Sequence, residues 1–191
     1  MKPSHRLGLA AVLASVTAAA SVTLAGTASA DPPLNETFHD EFTEIIDDYC
    51  GVPGLTVQSD VVADGRILIH SGGPVHFMEH LDVTFVDTNL ANGSAITGTS
   101  RTVRRALDAT DNGDGTLTVL FMTTGNDVAY GPDGTAIARN PGQVRFELLI
   151  DHNGTPLDPT DDEVIAFLGF VRESTGRTDD FCAAAVPALT G

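Results

Sequence analysis

From Leu55 onward, polar and apolar residues alternate in short runs. Leu55, Val57 and Val61 alternate with Thr56, Gln58 and Asp60. Leu81, Val83 and Phe85 alternate with Asp82 and Thr84, and Val144, Phe146, Leu148 and Ile150 with Arg145, Glu147 and Asp151. A period of two marks strands with one buried face and one wet face. Residues 67–69, 95–109 and 117–124 extend the pattern. Between the runs stand Asp64-Gly65, Asn92-Gly93, Asp111–Gly115, Gly131–Gly134 and a loop over 153–162. This is turn chemistry, because Asn, Asp and Gly accept positive φ at little steric cost. About eight strands joined by short turns, with no room for crossover helices, predict an all-β antiparallel meander. Such a sheet removes its edges most completely by closing into a β-barrel, and a two-sheet sandwich is the alternative.

Three segments depart from the alternation. In residues 34–49 apolar side chains fall at 34, 38, 42, 45, 46 and 49. That spacing predicts a short N-terminal helix, although 38, 42 and 46 also share one strand parity. Residues 164–171 are apolar on both parities, so one side of that strand needs a cover beyond the barrel core: the N-terminal segment, the tail after Cys182, or another subunit. The tail Ala183–Gly191 is small and apolar and reads as a docked end tethered through Cys182.

The first thirty residues follow a different rule. Lys2 and Arg6 precede an uncharged stretch from Leu7 to Gly26 rich in Ala, Val and Leu, which ends at Ala28-Ser29-Ala30. A basic start, an apolar middle and a small-x-small exit make residues 1–30 a secretory signal peptide, with 31–191 the single exported domain. The 161 residues after the signal hold eight arginines, no lysine and 26 acids, a formal charge of −18. That charge argues against nucleic acid and anionic membrane as partners. Without lysine the mature chain has no Schiff-base chemistry. Two cysteines in an exported chain predict a Cys50–Cys182 disulfide between the two ends of the domain.

Few constellations carry chemistry. His76-Phe77-Met78-Glu79-His80 fits the inverted zinc-protease pattern, but that chemistry needs a helix, and here the motif runs directly into a strand. Asp111 and Asp114 space their oxygens like the start of a calcium loop, yet position 12 is Met122, not an acid. Asp158 and Asp161 lie in a second acidic loop that suits calcium by charge alone. Arg104 and Arg105 belong to the one basic cluster, and an inward arginine there would hold a carboxylate or phosphate bidentately. No Ser triad motif, P-loop or dinucleotide fingerprint is present, so no catalytic residue is assigned.

The runs Thr110–Thr118, Tyr130–Ile150 and Asp180–Thr190 resemble a group of secreted proteins from GC-rich Gram-positive bacteria of actinobacterial type. That resemblance implies export and a β-rich fold and carries no activity. At the level of architecture the chain is similar to lipocalin-like or allene-oxide-cyclase-like barrels. The expected function is therefore a non-enzymatic exported protein that binds a small apolar or amphipathic ligand in a lumen, or an extracellular partner, with a homo-oligomer compatible with either. A small isomerase or hydrolase with a lumen site and a calcium-stabilised structural protein are the alternatives.

Overall fold

A computed structural model describes residues 34–70 and 76–191. The expected signal peptide lies outside these residues. Seven strands follow in order: β1 (Leu34–Ile46), β2 (Val57–Ile69), β3 (Phe77–Asn89), β4 (Ala95–Asp111), β5 (Thr116–Tyr130), β6 (Ala136–Asp151) and β7 (Glu163–Arg172). One helix, α1 (Phe181–Thr190), ends the chain. The strands pair antiparallel in sequence order, giving a single seven-stranded meander. The all-β meander matches the alternation, and the turns at Asn92-Gly93, Asp111–Gly115 and Gly131–Gly134 connect strands as expected.

The expected barrel is not closed: β1 and β7 are the two edges of the sheet. Strand number supplies the physical reason. In a seven-stranded antiparallel meander the first and last strands run the same way, so closure would need a parallel ladder instead of one more hairpin-type pairing. Two of the expected strands are one, because β2 runs straight through Asp64-Gly65, where the sequence suggests a hairpin. Gly65 sits opposite Phe38 of β1, whose ring lies over it where a Cβ would otherwise stand. An aromatic ring covering a cross-strand glycine holds such a position in the sheet.

The expected N-terminal helix is also corrected. Residues 34–46 form β1, which pairs with β2 along its whole length, from Leu34 opposite Ile69 to Ile46 opposite Val57. Phe38 and Phe42 are four apart, a spacing that satisfies a helix face and a strand face equally. The pairing surface of β2 decides between them, as tertiary context often does.

Two apolar clusters hold the sheet. One joins β4, β5 and β6 through Ala106, Leu117, Val119, Phe121, Phe146, Leu148 and Ile150. The other packs Tyr49, Leu55, Val57 and Ile96 under Ala185 and Leu189 of α1. The tail therefore docks as expected, but as a helix, capped by the Asp180 side chain accepting from the Ala183 N–H at 3.0 Å. Asn89 and Asn92 both donate from their side chains to the Leu189 carbonyl, at 3.0 and 2.9 Å. Cys50 and Cys182 are disulfide-bonded, with a sequence separation of 132. Tyr49 donates its hydroxyl to Asp87 Oδ2 at 2.5 Å inside this cluster.

Candidate functional site

The first cluster does not end inside the protein. A row of rings crosses the sheet from Phe77 to Phe121, Phe146 and Phe167, with centroid separations of 5.8, 5.8 and 5.9 Å, and Phe170 lies 5.2 Å beyond Phe167. The row begins partly buried at Phe77, is buried at Phe121 and Phe146, and comes out to solvent on β7. There Val164, Ile165, Phe167, Leu168, Phe170 and Val171 are all between 46 and 57% exposed. A strand at the wet edge of an antiparallel sheet is expected to show a polar face; β7 has none between Glu163 and Arg172. Of the covers the sequence allowed, α1 packs on the other cluster and residues 34–46 form the opposite edge strand.

β7 is also irregular. Its register against β6 skips at Ile165, Leu168 and Val171, which face no β6 residue. Bulges of this kind twist an edge and break the ladder that a foreign strand would extend. Gly169, between two of them, has φ 136°.

The two arginines singled out by sequence go separate ways, because neighbours on a strand point to opposite faces. Arg104 turns inward, bridges Glu79 Oε2 through Nη2 at 2.9 Å and lies over the rings of Phe77 and Phe121, at 5.5 and 5.9 Å. It is committed to the core cluster. Arg105 takes the outer face, in one cross-strand row that reads Met78, Arg105, Met122, Arg145, Arg172. Among the described residues none of these three arginines has a carboxylate within 4 Å, and Arg145 Nε is buried without a partner. Sequence reading missed the row because 105, 145 and 172 meet only through the register.

Residues 77–80 of the motif fall on β3, and His76 stands just before it. Glu79 and His80 are neighbours on the strand and take opposite faces, with Glu79 facing Arg104. No helix carries the motif, and the zinc-protease geometry is not formed.

The acidic loops hold their carboxylates in turns. Asp111 accepts the Gly113 N–H at 2.8 Å, and Asp114 accepts the Thr116 N–H and hydroxyl at 3.1 and 2.6 Å. Asp158 accepts the Thr160 N–H and hydroxyl, at 3.1 and 2.6 Å, and both Asp161 oxygens accept the Thr155 hydroxyl at 2.8 Å. Among the described residues no three His, Cys, Asp or Glu side chains are placed to hold a metal ion. Beside Asp161, half-buried Asp162 has an Oδ1 without a partner. Burial, and then the charge of Asp161, push its carboxyl up to about 6; His152 opposes this by more than either Asp158 or Asp151 adds to it.

Two depressions open to solvent, one of about 480 Å³ along β1–β3, walled by Phe42, Val61 and Phe85, and one of about 380 Å³ beside Arg105 and Met78. No helix among the described residues is long and apolar enough to cross a membrane. No protein-family model, curated protein or solved structure matches this chain.

Proposed function

We propose that this chain is an exported, non-enzymatic interaction protein whose contact element is β7. The observation that carries the reading is the run of six apolar side chains about half exposed on a single edge strand. Contiguous apolar surface of this kind marks an interaction site. Here it is continuous with the core through Phe146 and Phe167, so a partner seated on β7 would complete an existing cluster. The Cys50–Cys182 bridge, the secretory pattern at residues 1–30 and the acidic surface support an extracellular setting. A small apolar ligand held in a lumen has less support, because the sheet is open and both depressions are open to solvent.

Native mass spectrometry of the protein recovered from its own culture medium tests the reading. The wild-type chain is expected in complex with protein, either another copy or a different chain. Leu168→Asp, at a half-exposed site, is expected to fold and to be recovered alone. A wild-type chain that is monomeric and unaccompanied at every concentration contradicts the reading.

A further inference from the structure

β7 reads Glu163, Val, Ile, Ala, Phe, Leu, Gly, Phe, Val, Arg172. Turned end for end, the strand matches itself. Glu163 meets Arg172, Val164 meets Val171, Ile165 meets Phe170, Ala166 meets Gly169, and Phe167 meets Leu168. Opposite charges meet at the ends, large apolar residues face one another, and the two smallest residues coincide. We propose that the partner of β7 is a second copy of this chain, docked antiparallel across a two-fold axis that passes between Phe167 and Leu168. This rests on the reading of β7 as the contact element and names what sits on it.

The charges around the strand point the same way. At its N-terminal end, Asp161 and Asp162 run into Glu163, and mutual repulsion there is already felt by Asp162. At its C-terminal end, Arg172 stands opposite Arg145, with Arg105 further along the same row. Like charges directly across a ladder are destabilising. Glu147 and Glu173 lie within two residues of that row, and neither bridges it. Each chain thus carries an unneutralised acidic end and an unneutralised basic end on one strand. A two-fold axis is isologous, so it sets each acidic end against the other copy's basic end, twice per dimer. A parallel apposition would put acid on acid and base on base.

The bulges narrow the choice of occupant. With Ile165, Leu168 and Val171 out of register with β6, the edge does not offer the regular row of N–H and C=O groups that any extended peptide extends. An arbitrary extended peptide therefore gains little from the ladder alone, and the shape and charge of its side chains decide what fits.

A charge-swap cycle tests the proposal. Within one chain Glu163 and Arg172 are nine residues apart on a strand, about 30 Å, so they cannot compensate each other there. Sedimentation velocity of the purified protein over a concentration series is expected to show a monomer–dimer equilibrium. Glu163→Arg and Arg172→Glu should each weaken the dimer by about tenfold or more, since each change breaks two symmetry-related pairs. The double variant, with both charges exchanged, should return to within about threefold of wild type. Both sites are exposed, and circular dichroism melts confirm that the variants fold. Leu168→Asp should abolish the dimer without touching either charge. Additive losses in the double variant, or single variants that dimerise as wild type does, overturn the proposal. A purified wild type that stays monomeric also overturns it. In that case a different protein found on β7 in culture medium would leave the broader reading standing, and a bare β7 would remove both.

Discussion

Arg104 and Glu79 meet at 2.9 Å across β4 and β3, with the guanidinium resting on the rings of Phe77 and Phe121. Glu79 keeps only 11% of its side-chain surface and Arg104 24%. Removing one member leaves the other charge largely out of water with no counter-ion, which is costly in a way that an exposed pair is not. Glu79→Ala and Arg104→Ala are each expected to lower unfolding free energy by about 2–4 kcal/mol. The double replacement Glu79→Ala with Arg104→Ala should cost less than the two single changes together. Urea denaturation of the four proteins gives the cycle; strict additivity would show that the two charges are independently solvated.

The disulfide spans nearly the whole described sheet. Closing a loop of 132 residues removes about 4–5 kcal/mol of chain entropy from the unfolded state in the simplest treatment. The variant with Cys50→Ala and Cys182→Ala is expected to lose a large part of that. α1 should remain docked, because Ala185, Leu189 and the two asparagine side chains hold it independently. A melting midpoint unchanged by reduction would contradict the loop-closure account.

Tyr49 gives the domain an alkaline limit. Burial first, and then the charge of Asp87 and the hydrogen bond to it, push the Tyr49 phenol well above its ordinary value of 10.0. The folded chain therefore holds this proton more tightly than the unfolded chain. That stability is complete below about pH 10 and is lost as the pH rises further. Tyr49→Phe should flatten the fall above pH 10. At pH 7 it should cost about 1–3 kcal/mol, because Asp87 loses its buried donor. Equal alkaline slopes in the two proteins would refute this.

Asp162 works in the opposite pH range. Its carboxyl sits near 6 in the fold, against 3.8 when free. A raised carboxyl pKa stabilises the fold fully below the free value, and that stabilisation is lost as the pH rises through 6. Asp162→Asn is expected to raise the melting midpoint of dilute protein at pH 8 and to leave it unchanged near pH 4. A gain at pH 4 equal to that at pH 8 would rule out the ionised carboxylate as the cause.

Much of the sheet is legible from alternation alone, and the residues that mislead do so for identifiable reasons. Val144 to Ile150 is a strand by pattern and forms the buried half of β6. Residues 136–143 escape the pattern because Pro141 and Gly142 interrupt it. They pair with β5 on one side, and on the other they meet the chain after β7, where the Thr175 N–H donates to Gln143 O and the Asp179 N–H to Arg139 O. Pro141 is tolerated where no following strand needs its missing donor. Asp64-Gly65 reads as a turn because the ring of Phe38 that fills the gap is 27 residues away in sequence. Parity alone places Arg104 and Arg105 on opposite faces, yet the partners of each, Glu79 for one and Arg145 and Arg172 for the other, follow only from register. The apolar run at 164–171 is legible as needing a cover. What sequence does not reveal is that β7 is an edge, because that depends on whether the meander closes.

Hydrogen exchange at two protein concentrations tests most directly whether β7 is the contact strand. At the higher concentration, amides of 163–172 are predicted to slow markedly while those of the opposite edge, 34–46, keep their rates. Unchanged exchange across β7, or protection that appears at β1 instead, would contradict the account.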